Sequence, residues 1–150
     1  MNLEEYLTQN LVKKVNPDFL QINMQLKRSR KDIAAAEKLA KSDKTWAYTI
    51  CYHSMLRNAR ALMYANGYLP TNRNTHKTIV QYVSSQVGRE YSDIISKLAR
   101  MRRERHDFIY ESKNGISSLQ VITAIKYAKT LAEVIEKAVN NINPQRRITE

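Results

Sequence analysis

The sequence predicts an all-α fold, an up-and-down four-helix bundle of long helices with one or two short helices added. The 150 residues include three glycines and three prolines, so few positions interrupt a helix. Apolar residues recur at three- to four-residue spacing through four long segments, and short connections between them favour antiparallel neighbours. No segment shows the apolar–polar alternation of a half-buried strand. The long segments are residues 18–41, 44–66, 89–112 and 118–142.

The chain is predicted to form one domain over residues 1–150, because its length suits a single core and no repeat or low-complexity tract divides it. Residues 1–16 form an N-terminal segment with a short amphipathic stretch, and residues 143–150 form a loose tail. Asn16 and Pro17 end the N-terminal stretch, since proline disfavours helix at the residue before it.

Basic residues cluster on the outer face of the first long helix. A solvated surface is the ordinary interpretation of such a cluster, and a secondary phosphate contact is the alternative. The cluster consists of Lys27, Arg28, Arg30 and Lys31. The turn at residues 42–43 then provides a candidate N-cap, Ser42 or Asp43, for the helix at 44–66.

The helix at 44–66 is apolar on almost every side, which predicts a position at the centre of the bundle. Its exception is a polar strip of His53, Arg57 and Arg60, at positions i, i+4 and i+7. Buried polar groups need partners, so these three either pair within the bundle or line a cleft that binds phosphate or RNA. Because His53 has no His, Cys or carboxylate companion at ligand spacing, we expect no metal site.

Glycine, serine and proline mark the later boundaries. Gly67 ends the central helix as a C-cap, and residues 67–70 make a turn. A shorter helix follows at 75–87, with His76 near its start, where a structural role at the junction is the default and a ligand contact is the alternative. Residues 117–118 open the final helix, and residues 143–144 stop it.

The helix at 89–112 carries an unusual density of positive charge. Four arginines and a histidine fall within seven residues, and a tyrosine follows: Arg100, Arg102, Arg103, Arg105, His106 and Tyr110. Like charges this close repel one another, so the helix gains from them only when an anion faces it. A phosphate-facing site is one interpretation. The other is a solvated or internally paired surface with Glu104 and Asp107 as partners.

The overall charge also favours an anionic partner. The formal net charge is +11 and the isoelectric point is near 9.8. This charge favours a partner such as nucleic acid, a nucleotide or an acidic protein; the alternative is a basic protein that binds no polyanion. The single Cys51 cannot form an intrachain disulfide. The start MNLEEYLTQN does not resemble a signal peptide, and no apolar run approaches the ~18 residues of a membrane span. We therefore expect a cytoplasmic protein with no membrane partner and no cofactor.

Two segments together resemble the HEPN family of small helical proteins. In YTICYHSMLRNARALMYANGYLPTNRNTHKTI, residues 59–63, 67–68 and 76–77 are similar to the family's A-x-A-L helix end, its Gly-Tyr and its downstream His-Lys. The segment KLARMRRERHDFIYE is similar to the family's helix with Leu-x-x-x-Arg, then His or Asp, then Tyr. The resemblance extends from the second helix to the last.

The resemblance implies a helical bundle, frequently a homodimer, in which an Arg-x(4–6)-His motif cleaves RNA without a metal. It implies that the arginine and histidine of two protomers meet at a shared cleft. Other members of the family lack the motif and act as nucleotide-binding or regulatory partners. Many are paired with a minimal nucleotidyltransferase, which can modify a tyrosine next to the motif.

Two registers of the motif remain open. Arg100 and His106 have five residues between them, with Met101 in place of the polar residue usual after the arginine. Arg102 and His106 have three residues between them, but with Tyr110 they share one helical stripe, with neighbours about 6 Å apart along the axis. Arg100 lies about a third of a turn away from His106, so it reaches that residue by curling its side chain or across a dimer axis.

For RNA cleavage, His106 is the proton carrier, because histidine is the side chain that exchanges protons near neutral pH. Arg100 or Arg102 holds the phosphate, and Tyr110 hydrogen-bonds the phosphate or orients His106. Further phosphate contacts are predicted from five other basic residues of the two helices: Arg103, Arg105, His53, Arg57 and Arg60. The alternative is a non-catalytic module that binds a nucleotide or a nucleotidyltransferase through the same basic helix.

Overall fold

Three long helices form the centre of the computed structural model, which describes residues 2–111 and 115–144 and, at residues 110 and 111, the backbone alone. They are α2 (Phe19–Leu39), α3 (Lys44–Ala65) and α6 (Ser118–Ile142). The shorter helices are α1 (Leu3–Thr8), α4 (Thr75–Gln86) and α5 (Ser92–His106). The predicted all-α fold class is confirmed, and α3 lies at the centre in contact with α2, α4, α5 and α6.

Polar side chains cap the long helices where the sequence predicts it. Asp43 Oδ1 accepts a hydrogen bond of 3.1 Å from the backbone N–H of Trp46 at the start of α3. Ser117 and Gln120 form a reciprocal capping box at the start of α6. Asn143 follows the last turn of α6 with extended backbone angles. The boundaries predicted at residues 42–43, 117–118 and 143–144 are confirmed.

The long helix predicted at 89–112 is divided into three pieces. A 3-10 turn (Arg89–Tyr91) leads into α5, and a π-helical turn (Asp107–Glu111) follows it. The apolar stripe of α5 is interrupted before Phe108, whose ring packs against Tyr48 with centroids 5.8 Å apart. The wider turn therefore carries an aromatic side chain back onto α3. Turns of this kind occur frequently at functional sites, and this one begins directly after His106.

A small antiparallel sheet, which the periodicity does not predict, joins the N-terminal segment to the exit from α3. Strand β1 (Val12–Lys14) pairs with β2 (Tyr68–Pro70). Strands of three residues are too short to show alternation in a sequence. Gly67 does end α3 with a φ of 89°, but the chain extends into β2 from Tyr68, so the turn predicted over residues 67–70 is wrong at its last three residues.

The core lies around α3, whose largest buried side chains are Tyr48, Met55, Leu62 and Met63. Helix α2 crosses α3 where the hydroxyl oxygens of two buried serines, Ser29 and Ser54, lie 2.6 Å apart. None of the helices in the described part of the chain is both long enough and apolar enough to cross a membrane.

Ion pairs join α2 to α6 on the outside of the bundle. Arg30 and Glu136 form two hydrogen bonds of 2.6 and 2.9 Å, and Lys129 Nζ lies 2.9 Å from Glu37 Oε1. Arg30 of the predicted basic cluster is therefore internally paired. Arg28 of the same cluster lies 3.0 Å from the carboxylate of Asp32 on its own helix.

We expect Gly67→Ala to destabilise the fold by about 1–2 kcal/mol, because an L side chain disfavours a left-handed φ. The added Cβ would also lie 3.4 Å from the carbonyl oxygen of Val15. Gly115→Ala is the matched control, since a Cβ there meets no described atom within 4 Å. Urea denaturation of both variants measures the difference, and equal stabilities would contradict the role assigned to Gly67.

Candidate functional site

The carboxylate of Glu104 binds three groups at the contact between α3 and α5. The Tyr48 hydroxyl donates a hydrogen bond to Glu104 Oε2, and Lys97 Nζ lies 2.9 Å from the same oxygen. Arg100 Nε lies 3.9 Å from the other carboxylate oxygen. Burial alone would raise the pKa of Glu104, but the hydrogen bonds from Tyr48 and Lys97 and the nearby cations hold it below its usual value. Glu104 is therefore ionised at neutral pH and offsets part of the positive charge of α5.

Tyr48 is the point at which α5 and the π-helical turn meet α3. Lys97 Nζ lies 5.4 Å from the centroid of the Tyr48 ring, and the Phe108 ring meets the Tyr48 ring edge-on. Burial, followed by the hydrogen bond to Glu104, raises the pKa of Tyr48 far above its usual value. The hydroxyl therefore keeps its proton and remains a hydrogen-bond donor to the carboxylate at all physiological pH values.

A second aromatic side chain, Tyr52, joins α3, α4 and α5. Its hydroxyl oxygen lies 2.8 Å from His76 Nδ1, and the two rings are stacked with centroids 5.6 Å apart. The guanidinium carbon of Arg105 lies 5.3 Å from the centre of the Tyr52 ring. His53, the next residue on α3, meets the Tyr52 ring edge-on at 5.1 Å.

Both histidines beside Tyr52 have lowered pKa values. For His76 the main cause is burial, with Arg102 and Arg105 adding repulsion and the backbone of Ala99 opposing them. For His53, whose ring is partly covered although the residue is exposed, the causes are this partial burial, then Arg105 and Arg57, opposed by Asp32. Both rings are therefore neutral at pH 7. His76 lies at the junction of α3, α4 and α5, in agreement with the structural role that is its default interpretation.

The predicted catalytic residues lie at the C-terminal end of α5. The His106 side chain is 59% exposed, and its Nδ1 is 4.0 Å from Asp107 Oδ1. Arg102 is exposed one turn earlier on the same stripe. Arg100 is 57% exposed but points its guanidinium towards Glu104. Tyr110 belongs to the π-helical turn, where the structure describes its backbone and not its side chain.

The predicted phosphate contacts divide between an open surface and internal pairing. Arg103 is exposed, whereas Arg105 is half-buried against Tyr52. On α3, His53 and Arg60 are exposed. The α3 strip is therefore divided, because Arg57 is paired within the bundle whereas His53 and Arg60 are exposed.

Arg57 is the paired member of the strip. It is half-buried, donates a hydrogen bond from Nη1 to Gln25 and places Nε 3.9 Å from Asp32 Oδ2. Both acceptors belong to α2, so Arg57 joins α2 to α3 beside the exposed His53.

Sequence reasoning noted Glu104 only as a local charge partner and did not connect Tyr52 with His76. The available signal was the placement of Tyr48 and Tyr52 one turn apart on a central helix, since buried tyrosine hydroxyls need partners.

The described residues offer few groups for metal binding or for nucleophilic catalysis. Over residues 2–111 and 115–144, no group of three or more His, Cys, Asp or Glu side chains is placed to hold a metal ion. Cys51 is fully buried, and burial raises the pKa of its thiol to about 12. A thiol in that state is protonated at neutral pH and is a poor nucleophile.

We expect Glu104→Gln to destabilise the protein by roughly 1.5–3 kcal/mol at pH 7, because Lys97, which is 13% exposed, loses its charged acceptor. Glu133→Gln, at an exposed position of α6, should change the stability by less than about 0.5 kcal/mol. Chemical denaturation compares the two variants. If Glu104→Gln lowers the free energy of unfolding by no more than Glu133→Gln does, the contacts of Glu104 contribute little to stability.

The lowered pKa values of His76 and His53 predict a loss of stability in mild acid. A histidine whose pKa is lower in the folded state binds its proton more readily when unfolded, so its contribution is complete above the ordinary value of 6.5 and is lost as the pH falls below it. We expect His76→Gln to reduce the slope of unfolding free energy against pH between about pH 6.5 and 5. An unchanged slope would contradict this assignment.

Comparison with known proteins identifies a family model that matches most of the chain. The model of the HEPN domain matches residues 22–138, which is well over half of the chain and spans α2 to α6. No curated protein matches the sequence.

Proposed function

Because the chain belongs to the HEPN domain family, we propose that it is a metal-independent ribonuclease that acts through the exposed end of α5. The observation that carries the proposal is that Arg102 and His106 lie one turn apart on the same exposed stripe of one helix. The toxin or defence role common among such enzymes is part of the proposal. So is a homodimer in which two copies of this stripe face a shared cleft.

The surroundings of the two arginines favour Arg102 as the phosphate ligand. Arg100 lies 3.9 Å from the carboxylate of Glu104, so its charge is partly neutralised. Arg102 and Arg103 are exposed and lie four and three residues before His106, which are the spacings that bring side chains together on a helix. Two guanidinium groups can therefore approach one phosphate beside the imidazole.

The chemistry requires a base, an acid and positive charge. A base removes the proton from the ribose 2′-hydroxyl, the 2′-oxygen attacks phosphorus, and the bond to the 5′-oxygen breaks as an acid protonates that oxygen. In this proposal His106 of one protomer and His106 of the other act as base and acid. Arg102, with Arg103, stabilises the charge on the phosphorane, and Tyr110 provides a further phosphate contact.

A second function shares the same surface. Each chain carries one histidine on the exposed stripe of α5, which is sufficient for phosphate binding, whereas acid–base cleavage needs a second group. The alternative is therefore a non-catalytic module that binds a nucleotide, or a nucleotidyltransferase partner, through Arg102 and Arg103. It would show binding that weakens with salt but no turnover.

We expect His106→Ala to reduce RNA cleavage by about 10²–10⁴-fold in the presence of a chelator, because it removes the proton carrier. RNA binding by the variant should persist, since the arginines are unchanged. Cleavage products are measured on a gel, and affinity by fluorescence anisotropy. Undiminished cleavage would overturn the assignment, and binding without cleavage by the wild type would favour the non-catalytic module.

The two motif registers can be separated by matched substitutions. Arg102→Gln should reduce the cleavage rate by about 10²–10³-fold, as expected for loss of a group that stabilises the transition state. Arg100→Gln should cost less, because that guanidinium already faces Glu104. Lys126→Gln, at an exposed position of α6, removes one positive charge elsewhere and should leave the rate unchanged. A larger loss for Arg100→Gln would reverse the assignment.

A further inference from the structure

One side of α3 is left open by the helices that surround it. Five residues at successive spacings of four and three lie on this side and form what we call the open face: Trp46, Ile50, His53, Arg57 and Arg60. The indole of Trp46 is 52% exposed, and His53 and Arg60 are exposed as well. The sequence-derived strip of three polar residues is thus part of a longer surface that includes an aromatic side chain.

The open face carries an excess of positive charge. Arg57 lies 3.9 Å and Arg28 3.0 Å from the single carboxylate of Asp32, so two guanidinium groups share one negative charge. Arg60 adds a further exposed cation. Because the chain as a whole carries a formal charge of +11, an anionic ligand is the complementary partner.

The open face is continuous with the proposed catalytic stripe of α5. The guanidinium of Arg105 covers the Tyr52 ring at 5.3 Å and lies close enough to His53 to lower its pKa. Arg102, one turn before His106, lowers the pKa of His76, whose ring stacks on the same Tyr52. A polyanion that contacts Arg102 can therefore extend past Arg105 onto α3.

We infer that the open face binds single-stranded RNA, with Trp46 stacking on an unpaired base and the exposed Arg60 contacting a phosphate. The inference rests on the proposed function and specifies its substrate. An exposed indole beside spaced cations is the combination used for single strands, because every base offers a face for stacking. A duplex keeps its bases stacked within the helix, so it cannot occupy Trp46 in this way.

The sequence contains a single tryptophan, so intrinsic fluorescence reports on this face alone. The probe is a 2′-O-methylated oligouridylate of about ten nucleotides, which covers a typical single-strand site and cannot be cleaved through its 2′-oxygen. We expect it to quench the Trp46 emission. Inorganic polyphosphate, which has charge but no bases, should compete for binding without stacking. Binding of the oligouridylate with no quenching would overturn the inference.

Substitutions test the same point by affinity. Trp46→Ala should weaken binding of a labelled oligouridylate by roughly tenfold to a hundredfold, and Trp46→Phe, which keeps a ring, by less. Leu119→Ala removes a side chain that is 73% exposed on α6 and should have no effect. Arg60→Gln should lower the slope of log affinity against log salt by about 0.7, whereas Lys126→Gln should leave it unchanged.

The outcomes separate this inference from the proposed function. His106→Ala should abolish cleavage of unmethylated RNA and keep the quenching, which supports both. Quenching without any cleavage by the wild type would overturn the ribonuclease and support the stacking face. If Trp46→Ala leaves the cleavage rate unchanged and the oligouridylate does not quench the emission of the wild type, the stacking face alone is overturned. A Trp46→Ala variant that becomes monomeric with unchanged RNA affinity would assign the face to self-association and overturn the inference.

Discussion

The carboxylate of Glu104 holds α5, the described helix with the highest density of basic residues, against the bundle. It accepts a hydrogen bond from the Tyr48 hydroxyl of α3 and faces Lys97 and Arg100 from α5. Without a negative charge at this position, the cations of α5 would repel one another, and only apolar packing and the contact of Arg105 with Tyr52 would hold the helix in place. Every feature of the candidate site depends on α5 lying in this orientation, because the direction of Arg105 and the exposure of His106 follow from it.

Helix α5 has different roles on its two sides. On the inner side, Arg105 covers Tyr52, which also stacks on His76, so charge and aromatic surface are used to join three helices. On the outer side, Arg102 and His106 remain exposed. A site built on a helix that is fixed from behind keeps its side chains in a narrow range of positions, and catalytic groups benefit from such support. Arg105, which lies over Tyr52 and approaches His53, is the residue of α5 next to the open face of α3.

The sequence is informative where a local rule decides the structure. Helix starts at Asp43 and Ser117 follow from capping, and the central place of α3 follows from its apolar surface. Other features depend on contacts between residues far apart in the chain. The hydrogen bond between Tyr52 and His76 has no sequence signature, and neither has the inward direction of Arg105 beside the outward His106. Periodicity gives the face of a helix on which a residue lies, but not which neighbour a long side chain will contact.

The pairing of β1 with β2 makes the stretch of residues 22–138 dependent on residues that precede it. Strand β2 lies within that stretch, whereas its partner β1 and the buried side chains of Tyr6 and Val12 do not. A fragment trimmed to the matched stretch would expose the backbone groups of β2 as an unprotected strand edge next to a newly uncovered apolar surface. Such a fragment would tend to recruit strands from other molecules, so aggregation of a shortened form would reflect the missing strand and not a failure of the helices to fold.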